Sequence, residues 1–170
     1  MNIKNFEFKA KVNDLNIYEE KLLTLNPVFK GEDHQKDTYF NVTKGRLKLR
    51  EGNIENALIN YNRENTANAK LSEVILYQHT PDKALKDILK IQLGIKIVVD
   101  KRRRIYFIDN VKFHFDTVAT LGTFIEVEAI DNKEQFSITE LKVLCDYYFT
   151  FFGLQKTDLI EQSYSDLMLL

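Results

Sequence analysis

One stretch, residues 99–129, constrains the fold of this chain more than any other. It reads VDKRRRIYFIDNVKFHFDTVATLGTFIEVEA, and β-branched and aromatic residues dominate its apolar positions. Such residues are typical of strands. Asp109-Asn110 suits a two-residue hairpin turn between two of these strands, and residues 120–122 suit a second turn. The stretch therefore predicts consecutive antiparallel strands.

The charged side chains of this stretch fall on shared strand faces. Residues two apart on a strand point to the same side. Lys101 and Arg103 therefore share a face, and so do Glu126 and Glu128, whereas Ile125 points the other way. A sheet face that carries both cations and carboxylates suits a polyanion held together with a divalent metal.

The rest of the chain alternates in the same way. Strands are predicted at residues 3–12, 34–42, 45–51, 57–64, 69–79, 95–107, 111–117 and 123–129. Helices are predicted at residues 14–25 and 82–93, from Ser137 to Gly153, and near Thr157. Strands with only a few helices between them favour an antiparallel α+β fold over regular βαβ alternation.

Charge occupies the strand face that an ordinary barrel fills with apolar side chains. The charged face holds Glu7, Lys9, Arg46, Lys48, Arg50, Arg63, Lys101, Arg103, Glu126 and Glu128. The opposite face holds Phe6, Phe8, Leu47, Leu49, Leu58, Ile125 and Val127. These patterns predict a closed antiparallel β-barrel, a tunnel with a charged interior, with helices packed outside.

Composition places this barrel in an ordinary globular chain. The 170 residues are 44% hydrophobic and 29% charged, with a net charge of −1, so we expect one domain over residues 1–170 and no general attraction to nucleic acid or membrane. One cysteine, Cys145, excludes an intrachain disulfide. The first residues lack a signal-peptide core, and no apolar run approaches the ~20 residues of a membrane span. A cytoplasmic location is predicted.

Seven short motifs, in order along the chain, resemble those of the CYTH family, the triphosphate tunnel metalloenzymes. They are N-F-E-F-K at 5–9, Q-K-D-T-Y-F at 35–40, L-K-L-R at 47–50, Y-N-R at 61–63, K-R-R-R-I-Y at 101–106, F-I-E-V-E at 124–128 and S-Y-S-D-L at 163–167. Each motif alone is weak, but their order is specific. Within the family, Lys70-Leu71-Ser72 and the length are most similar to the class IV adenylyl cyclases.

The resemblance implies a role for each matching residue. The metal ligands would be Glu7, Glu126, Glu128 and Asp116, with Mg²⁺ or Mn²⁺ as the ion. The groups that bind the triphosphate would be Lys9, Lys48, Arg50, Arg63, Lys70, Lys101 and Arg103. The catalytic residues would be Glu7, Lys9 and Asp116. The implied ligand is a small-molecule triphosphate, ATP or tripolyphosphate, and the resemblance also implies a homodimer.

One departure from the family motif leaves the reaction open. Asn5 stands where the family has its first glutamate, and an amide oxygen can bind a hard cation but carries no charge. The first hypothesis is a class IV adenylyl cyclase-like enzyme that converts ATP to cyclic AMP and pyrophosphate. The alternatives are an inorganic or organic triphosphatase, a non-catalytic triphosphate binder and a nucleic-acid-binding module.

Several of these residues, each considered alone, would be interpreted as structural rather than functional. Glu126 and Glu128 alone would be a solvated strand face, and residues 101–104 alone would be a charged edge strand. The three histidines, His34, His79 and His114, lack metal-ligand spacing and are interpreted as surface or packing residues. Cys145 falls on an apolar helix stripe and is interpreted as core.

Overall fold

Eight strands close into an antiparallel barrel in the computed structural model of the protein, which describes residues 2–62 and 70–170. The strands are β1 (Asn2–Lys11), β2 (Val28–Phe40), β3 (Arg46–Glu51), β4 (Ala57–Asn62), β5 (Lys70–Gln78), β6 (Ile95–Ile108), β7 (Val111–Val118) and β8 (Gly122–Asp131). The helices in these residues are α1 (Leu15–Leu23), α2 (Lys83–Leu93), α3 (Ile138–Phe151) and α4 (Tyr164–Met168).

The strand order around the barrel is β1-β5-β4-β3-β2-β6-β7-β8, and β8 pairs with β1 to close it. Every pairing is antiparallel. The predicted α+β class and closed barrel are confirmed. The hairpin at Asp109-Asn110 joins β6 to β7, and Asp109 adopts a positive φ of 49°, which is typical of such tight turns.

The outer face of β1, β7 and β8 supports the main apolar core beneath α1 and α3. Phe8 packs edge-on against Phe149 of α3, with ring centroids 5.7 Å apart. Cys145 is fully buried in the same core, which confirms its interpretation as a packing residue. Burying a large apolar side chain stabilises a fold by roughly 1.5–3 kcal/mol, so this layer holds one side of the barrel in place.

Side chains cap the first turns of the three longer helices. Asp14 and Asp82 cap α1 and α2 through their carboxylates, and Ser137 with Glu140 forms a capping box at the start of α3. No helix among the described residues combines the length and the apolar character needed to cross a lipid bilayer.

Two predicted boundaries are wrong. β2 begins at Val28 rather than residue 34, because a bulge at Gly31, with φ of +134°, interrupts the alternation that marks a strand. The helix predicted near Thr157 is only a 3₁₀ turn at Lys156–Asp158, and the last helix begins at Tyr164, where Ser163 supplies the cap.

Candidate functional site

The barrel encloses a cavity of about 550 Å³. All eight strands contribute side chains to it, because the residues of one face of each strand point inward. Of the predicted site residues, Glu7, Lys9, Lys48, Arg50, Lys101, Arg103, Glu126 and Glu128 line this cavity. The charged interior predicted from the alternation is therefore present.

Two predicted residues cannot be placed, and one lies behind the cavity wall. Arg63 lies outside the described residues, and only the backbone of Lys70 is described. Asp116 is fully buried behind Arg103. The roles of all three stay predictions.

One wall carries a cationic cluster, which we define as Lys48, Arg50 and Lys101 around Asp37. The Nζ atoms of Lys101 and Lys48 lie 2.7 and 3.1 Å from Asp37 Oδ2. Arg50 donates to the same carboxylate through Nε at 2.8 Å and Nη2 at 2.9 Å. The register produces this meeting, because Asp37 lies opposite Arg50 across β2 and β3, and β6 pairs on the other side.

The charges of the cationic cluster shift each other's protonation. Burial alone would raise the pKa of Asp37, but Arg50, Lys101 and Lys48 lower it well below its usual range. Burial and the repulsion from Arg50, Arg103 and Lys48 together lower the pKa of Lys101 to about 7, although the nearby charge of Asp37 raises it. One carboxylate thus faces three cationic side chains, which leaves a surplus of positive charge for an anionic ligand.

Arg103 lies between this cluster and the opposite wall. Its Nε and Nη2 donate to the two oxygens of Asp116 at 2.7 and 2.6 Å, and Nη2 is also 3.7 Å from Glu126 Oε2. The hydroxyl of Tyr164 donates to Asp116 at 2.7 Å. Both oxygens of Asp116 are thus engaged, and the carboxylate fixes the orientation of the guanidinium.

The opposite wall carries an acidic cluster, which we define as Glu7, Glu126 and Glu128. Glu7 lies opposite Glu128 across β1 and β8, and His114 of β7 lies opposite Glu126. The Nδ1 atom of His114 is 3.7 Å from Glu126 Oε1 and 3.8 Å from Glu128 Oε1. Asn5 Nδ2 donates to Glu7 Oε2 at 3.3 Å.

The acidic cluster fits a divalent cation. Burial raises the pKa of Glu128 well above its usual range, and the charges of Glu126 and Glu7 add to the rise. A proton is therefore held where carboxylates crowd together, and a cation placed there would relieve the same repulsion. The ring of His114 is neutral, because burial, Arg103 and Lys112 lower its pKa to about 3. Neutral imidazole and carboxylate oxygens are both metal ligands.

Two further cations and one further carboxylate join these clusters. Lys9 Nζ lies 3.9 Å from Glu126 Oε2 and 4.1 Å from the centre of the Tyr164 ring. Glu55, from the β3–β4 loop, pairs with Lys112 and accepts from Arg50 Nη1 at 3.0 Å. Burial alone would raise the pKa of Glu55, but Lys112 and Arg50 lower it.

The sequence interpretation missed four of these residues. Asp37, Glu55 and Lys112 were not predicted as site residues, and His114, interpreted as a surface or packing residue, lines the cavity. The alternation Lys112, His114, Asp116 along β7 was a signal that could have placed His114 and Lys112 inside. Glu55 lies in a loop, where no such alternation exists.

The remaining wall of the cavity, on β4 and β5, is mostly apolar. Its apolar residues are Ala57, Ile59, Tyr61, Val74 and Leu76, and β5 also contributes the polar side chains of Ser72 and Gln78. Tyr39 joins it from β2, with its hydroxyl 3.4 Å from that of Tyr61. The cavity therefore offers charge on one side and aromatic and aliphatic surface on the other.

Comparisons with known proteins agree on the fold. A structure of the PH1012 protein from Pyrococcus horikoshii OT3 has a TM-score of 0.81 at 24% identity, and the match covers 96% of this chain and 98% of that one. A candidate adenylate cyclase from Vibrio parahaemolyticus has a TM-score of 0.76 at 17% identity, with 98% of each chain covered.

A third similar structure is HpAC1 from Hippeastrum, a candidate adenylyl cyclase with a dominant triphosphatase activity. Its TM-score is 0.64 at 11% identity, over 99% of this chain and 94% of that one. No curated protein sequence matches the chain. The family profile for the CYTH domain matches residues 4–145. The chain belongs to the CYTH family.

Proposed function

We propose that this protein catalyses divalent-metal-dependent phosphoryl chemistry on a nucleoside triphosphate, in the manner of a class IV adenylyl cyclase. The observation that carries the proposal is one enclosed cavity lined by both a cationic cluster and an acidic cluster. CYTH proteins are typically metal-dependent enzymes, adenylyl cyclase-like or triphosphatases, and this family membership supports an enzymatic role.

The cationic cluster is suited to a chain of phosphates. A triphosphate carries about four negative charges at neutral pH, and phosphoryl-transfer proteins act mainly by positioning it and neutralising its charge. Arg50 and Arg103 offer planar forks, whereas Lys48 and Lys101 offer point charges. Lys9 extends the same face toward the acidic cluster. Arg63 and Lys70 stay predicted contributors from the family motifs.

The acidic cluster is suited to the metal. Glu7, Glu126 and Glu128 would hold Mg²⁺ or Mn²⁺, and Asp116 would act mainly by orienting Arg103, since its oxygens already accept hydrogen bonds. When bound there, a divalent cation would lower the pKa of the ribose 3′-hydroxyl and stabilise the leaving oxygens. In the cyclase reaction this hydroxyl oxygen attacks the α-phosphorus and pyrophosphate leaves.

The apolar wall supports an organic substrate over an inorganic one. Ile59 and Leu76, with Tyr39 and Tyr61, form a surface that inorganic tripolyphosphate would leave unused. A cavity of about 550 Å³ lies within the ~300–1,000 Å³ range of small-molecule sites. A base or sugar placed on this wall would leave the phosphates on the charged side.

Triphosphate hydrolysis is the second candidate. The same charges would hold the substrate, and water rather than the ribose hydroxyl would attack a terminal phosphorus. Binding without catalysis is a third candidate, because Asn5 removes one negative charge from the family's first metal-binding motif. A cytoplasmic location and a homodimer stay predictions.

Incubating the purified protein with ATP or tripolyphosphate and Mg²⁺ or Mn²⁺, then resolving the products, distinguishes these candidates. Cyclic AMP with pyrophosphate supports the cyclase, and phosphate release supports the triphosphatase. Binding that only Asn5→Glu converts to turnover supports the non-catalytic binder. RNA binding that is salt-sensitive and indifferent to Glu126→Ala would favour the nucleic-acid module instead.

Two neighbouring arginines provide a matched pair of variants for the binding assay. Arg103 points into the cavity, whereas Arg102 is exposed and pairs with Glu32 at 3.7 Å. Arg103→Gln is expected to weaken ATP binding about tenfold or more, since charged hydrogen-bond partners contribute roughly 1.5–3 kcal/mol. Arg102→Gln should leave binding unchanged. Equal effects would mean that the cavity is not the triphosphate site.

A further inference from the structure

His114 is buried inside the barrel without a hydrogen-bond partner. Its exposure is 1%, and neither ring nitrogen has a hydrogen-bond partner within the portion of the chain that the structure describes, since the carboxylates beside Nδ1 lie at 3.7 and 3.8 Å. Buried polar atoms in folded proteins are almost always hydrogen-bonded, so an unpaired one calls for an explanation. A ligand that approaches from the cavity would supply the missing partner.

The carboxylates of Glu126 and Glu128 surround the Nδ1 side of this ring. Nδ1 is 3.7 Å from Glu126 Oε1 and 3.8 Å from Glu128 Oε1, and the three ligand atoms lie within 4.8 Å of one another. Atoms that bind one ion at about 2.0–2.2 Å lie roughly 3–4.3 Å apart. The three side chains would therefore enclose an ion after movements of less than about 1 Å.

Nδ1 lies near both carboxylates but makes no hydrogen bond to either of them. An ion placed between the three groups would bind the nitrogen lone pair and one oxygen of each carboxylate. A lone pair and two carboxylates converging on one point are the donor set of a transition-metal site.

We propose that His114 is a metal ligand together with Glu126 and Glu128, and that this nitrogen donor makes the site prefer a transition metal such as Mn²⁺ over Mg²⁺. The inference rests on the proposed function, because the metal would be the one that the triphosphate chemistry uses. It also bears on Asn5. The family's opening motif offers two carboxylates, and this chain offers one carboxylate there and an imidazole from β7.

The test is binding of Mn²⁺ alone, without nucleotide, to the full chain. Calorimetric titrations would compare the unsubstituted protein with His114→Gln and with His34→Gln, a histidine that lies outside the cavity and pairs with Asp100 at 2.7 Å. We expect His114→Gln to weaken Mn²⁺ binding at least about tenfold, as losses at metal sites commonly do. Mg²⁺ binding should weaken much less, and His34→Gln should match the unsubstituted protein.

Pulsed electron paramagnetic resonance gives a second readout that does not depend on any variant folding. Mn²⁺-loaded protein should show nitrogen couplings typical of a bound imidazole, and growth with ¹⁵N-histidine should change them. His114→Gln should abolish them if it folds. Absence of histidine couplings in the unsubstituted protein, or equal Mn²⁺ affinity in a folded His114→Gln, would overturn the proposal.

The outcome is separable from that of the proposed function. An imidazole-bound Mn²⁺ without turnover of ATP or tripolyphosphate would support the metal site and contradict the enzymatic proposal. Turnover with Mg²⁺, with no histidine coupling to Mn²⁺, would support the enzymatic proposal and contradict His114 as a metal ligand.

Discussion

The cationic and acidic clusters line one cavity but differ in how their charges are balanced. In the cationic cluster, Asp37 accepts from all three cationic side chains at 2.7–3.1 Å. In the acidic cluster, Glu128 faces Glu126 and Glu7, and its pKa is raised well above the usual range. In the first cluster the fold supplies a carboxylate that pairs with every cation. In the second, Lys9 and Arg103 lie near Glu126, whereas Glu128 faces the like charges of Glu126 and Glu7.

This difference separates two contributions of buried charge. Pairs such as Arg50 with Asp37 are already formed in the folded chain, so breaking them should destabilise it. Crowded carboxylates oppose folding and favour ligand binding, as strained functional sites do. Arg103 connects the two, since it binds Asp116 and lies 3.7 Å from Glu126. Four substitutions test this comparison.

Asp37→Asn is expected to have the largest effect. The amide keeps the shape of the side chain but leaves Lys48, Arg50 and Lys101 without their shared counter-charge. Removing one partner of a buried ion pair typically costs about 3–5 kcal/mol, a large part of the 5–15 kcal/mol that holds an ordinary domain folded. Urea denaturation followed by circular dichroism measures the change in the free energy of unfolding.

Asp100→Asn is the matched control, because the carboxylate of Asp100 is 42% exposed and pairs with His34 and Lys36 on the surface. Exposed pairs contribute about 0–1 kcal/mol. Tripolyphosphate should also raise the stability of Asp37→Asn more than that of the unsubstituted protein, since phosphate oxygens would replace the lost carboxylate. Equal, small effects in both variants would show that Asp37 does not hold the cationic cluster together.

Glu128→Gln, unlike Asp37→Asn, is expected to lower turnover without lowering stability. The amide replaces a carboxyl group whose ionised form is disfavoured by burial and by Glu126 and Glu7, so the free energy of unfolding of the metal-free protein should stay within about 1 kcal/mol or increase. Turnover should nevertheless fall at least about a hundredfold, or about 2.7 kcal/mol, because a metal ligand is lost. Urea denaturation and an ATP product assay measure the two effects separately.

Glu32→Gln provides the control for the acidic cluster, since Glu32 is an exposed carboxylate that faces Arg102 outside the barrel. It should change neither stability nor turnover. A loss of several kcal/mol of stability in Glu128→Gln would show that this carboxylate is structural, and the contrast between the two clusters would disappear.

The sequence predicts the barrel better than it predicts this contrast. Alternation with a period of two is local, and it correctly placed Lys101, Arg103, Glu126 and Glu128 on the inner face. The partners of these charges depend on register and loops, which alternation does not specify. Glu55 reaches Lys112 from a loop, through a sequence separation of 57 residues.

His114 is a second residue whose contacts local sequence patterns do not predict. His114 has no neighbouring histidine or cysteine at metal-ligand spacing, so local motif rules assign it no role. Its relation to Glu126 and Glu128 arises only when β7 pairs with β8. Closing the barrel brings together groups that no short motif contains.

Lys101 should make triphosphate binding depend on pH. Its pKa falls from 10.5 to about 7 on folding, so the destabilisation from burying its ammonium is fully present below pH 7 and decreases as the pH rises toward 10.5. A bound phosphate favours the ammonium form. Binding of tripolyphosphate above pH 7 should therefore take up a proton, and the affinity should fall by up to about tenfold per pH unit, or about 1.4 kcal/mol.

Calorimetry in two buffers of different ionisation enthalpy measures that proton uptake directly. Lys101→Met should bind tripolyphosphate more weakly at pH 6, and its affinity should depend less on pH. The dependence that remains should come from the titration of tripolyphosphate itself. Proton uptake at pH 8 that is the same in both proteins would show that Lys101 keeps its proton in the free protein, and that Asp37 outweighs burial.

Tyr164→Phe is expected to have the smallest effect. The ring should remain against Phe124, with centroids 5.0 Å apart, and beneath Lys9, while the hydroxyl that donates to Asp116 at 2.7 Å is lost. The acceptor is a carboxylate, and loss of such a bond costs about 1.5 kcal/mol at the lower end of the range for charged groups, which lowers the melting temperature by about 3–6 °C in a chain of this size. Scanning calorimetry measures it, with the exposed Tyr147→Phe as control.

The small expected effect of Tyr164→Phe follows from the two bonds that Arg103 keeps with Asp116. With that pair intact, the guanidinium should hold its orientation, and the dissociation constant of tripolyphosphate should rise less than about threefold. A loss of stability as large as that of Asp37→Asn would mean that Asp116 depends on the hydroxyl more than on Arg103. The position of Arg103 between the two clusters would then depend on α4, which carries Tyr164, more than on the strands of the barrel.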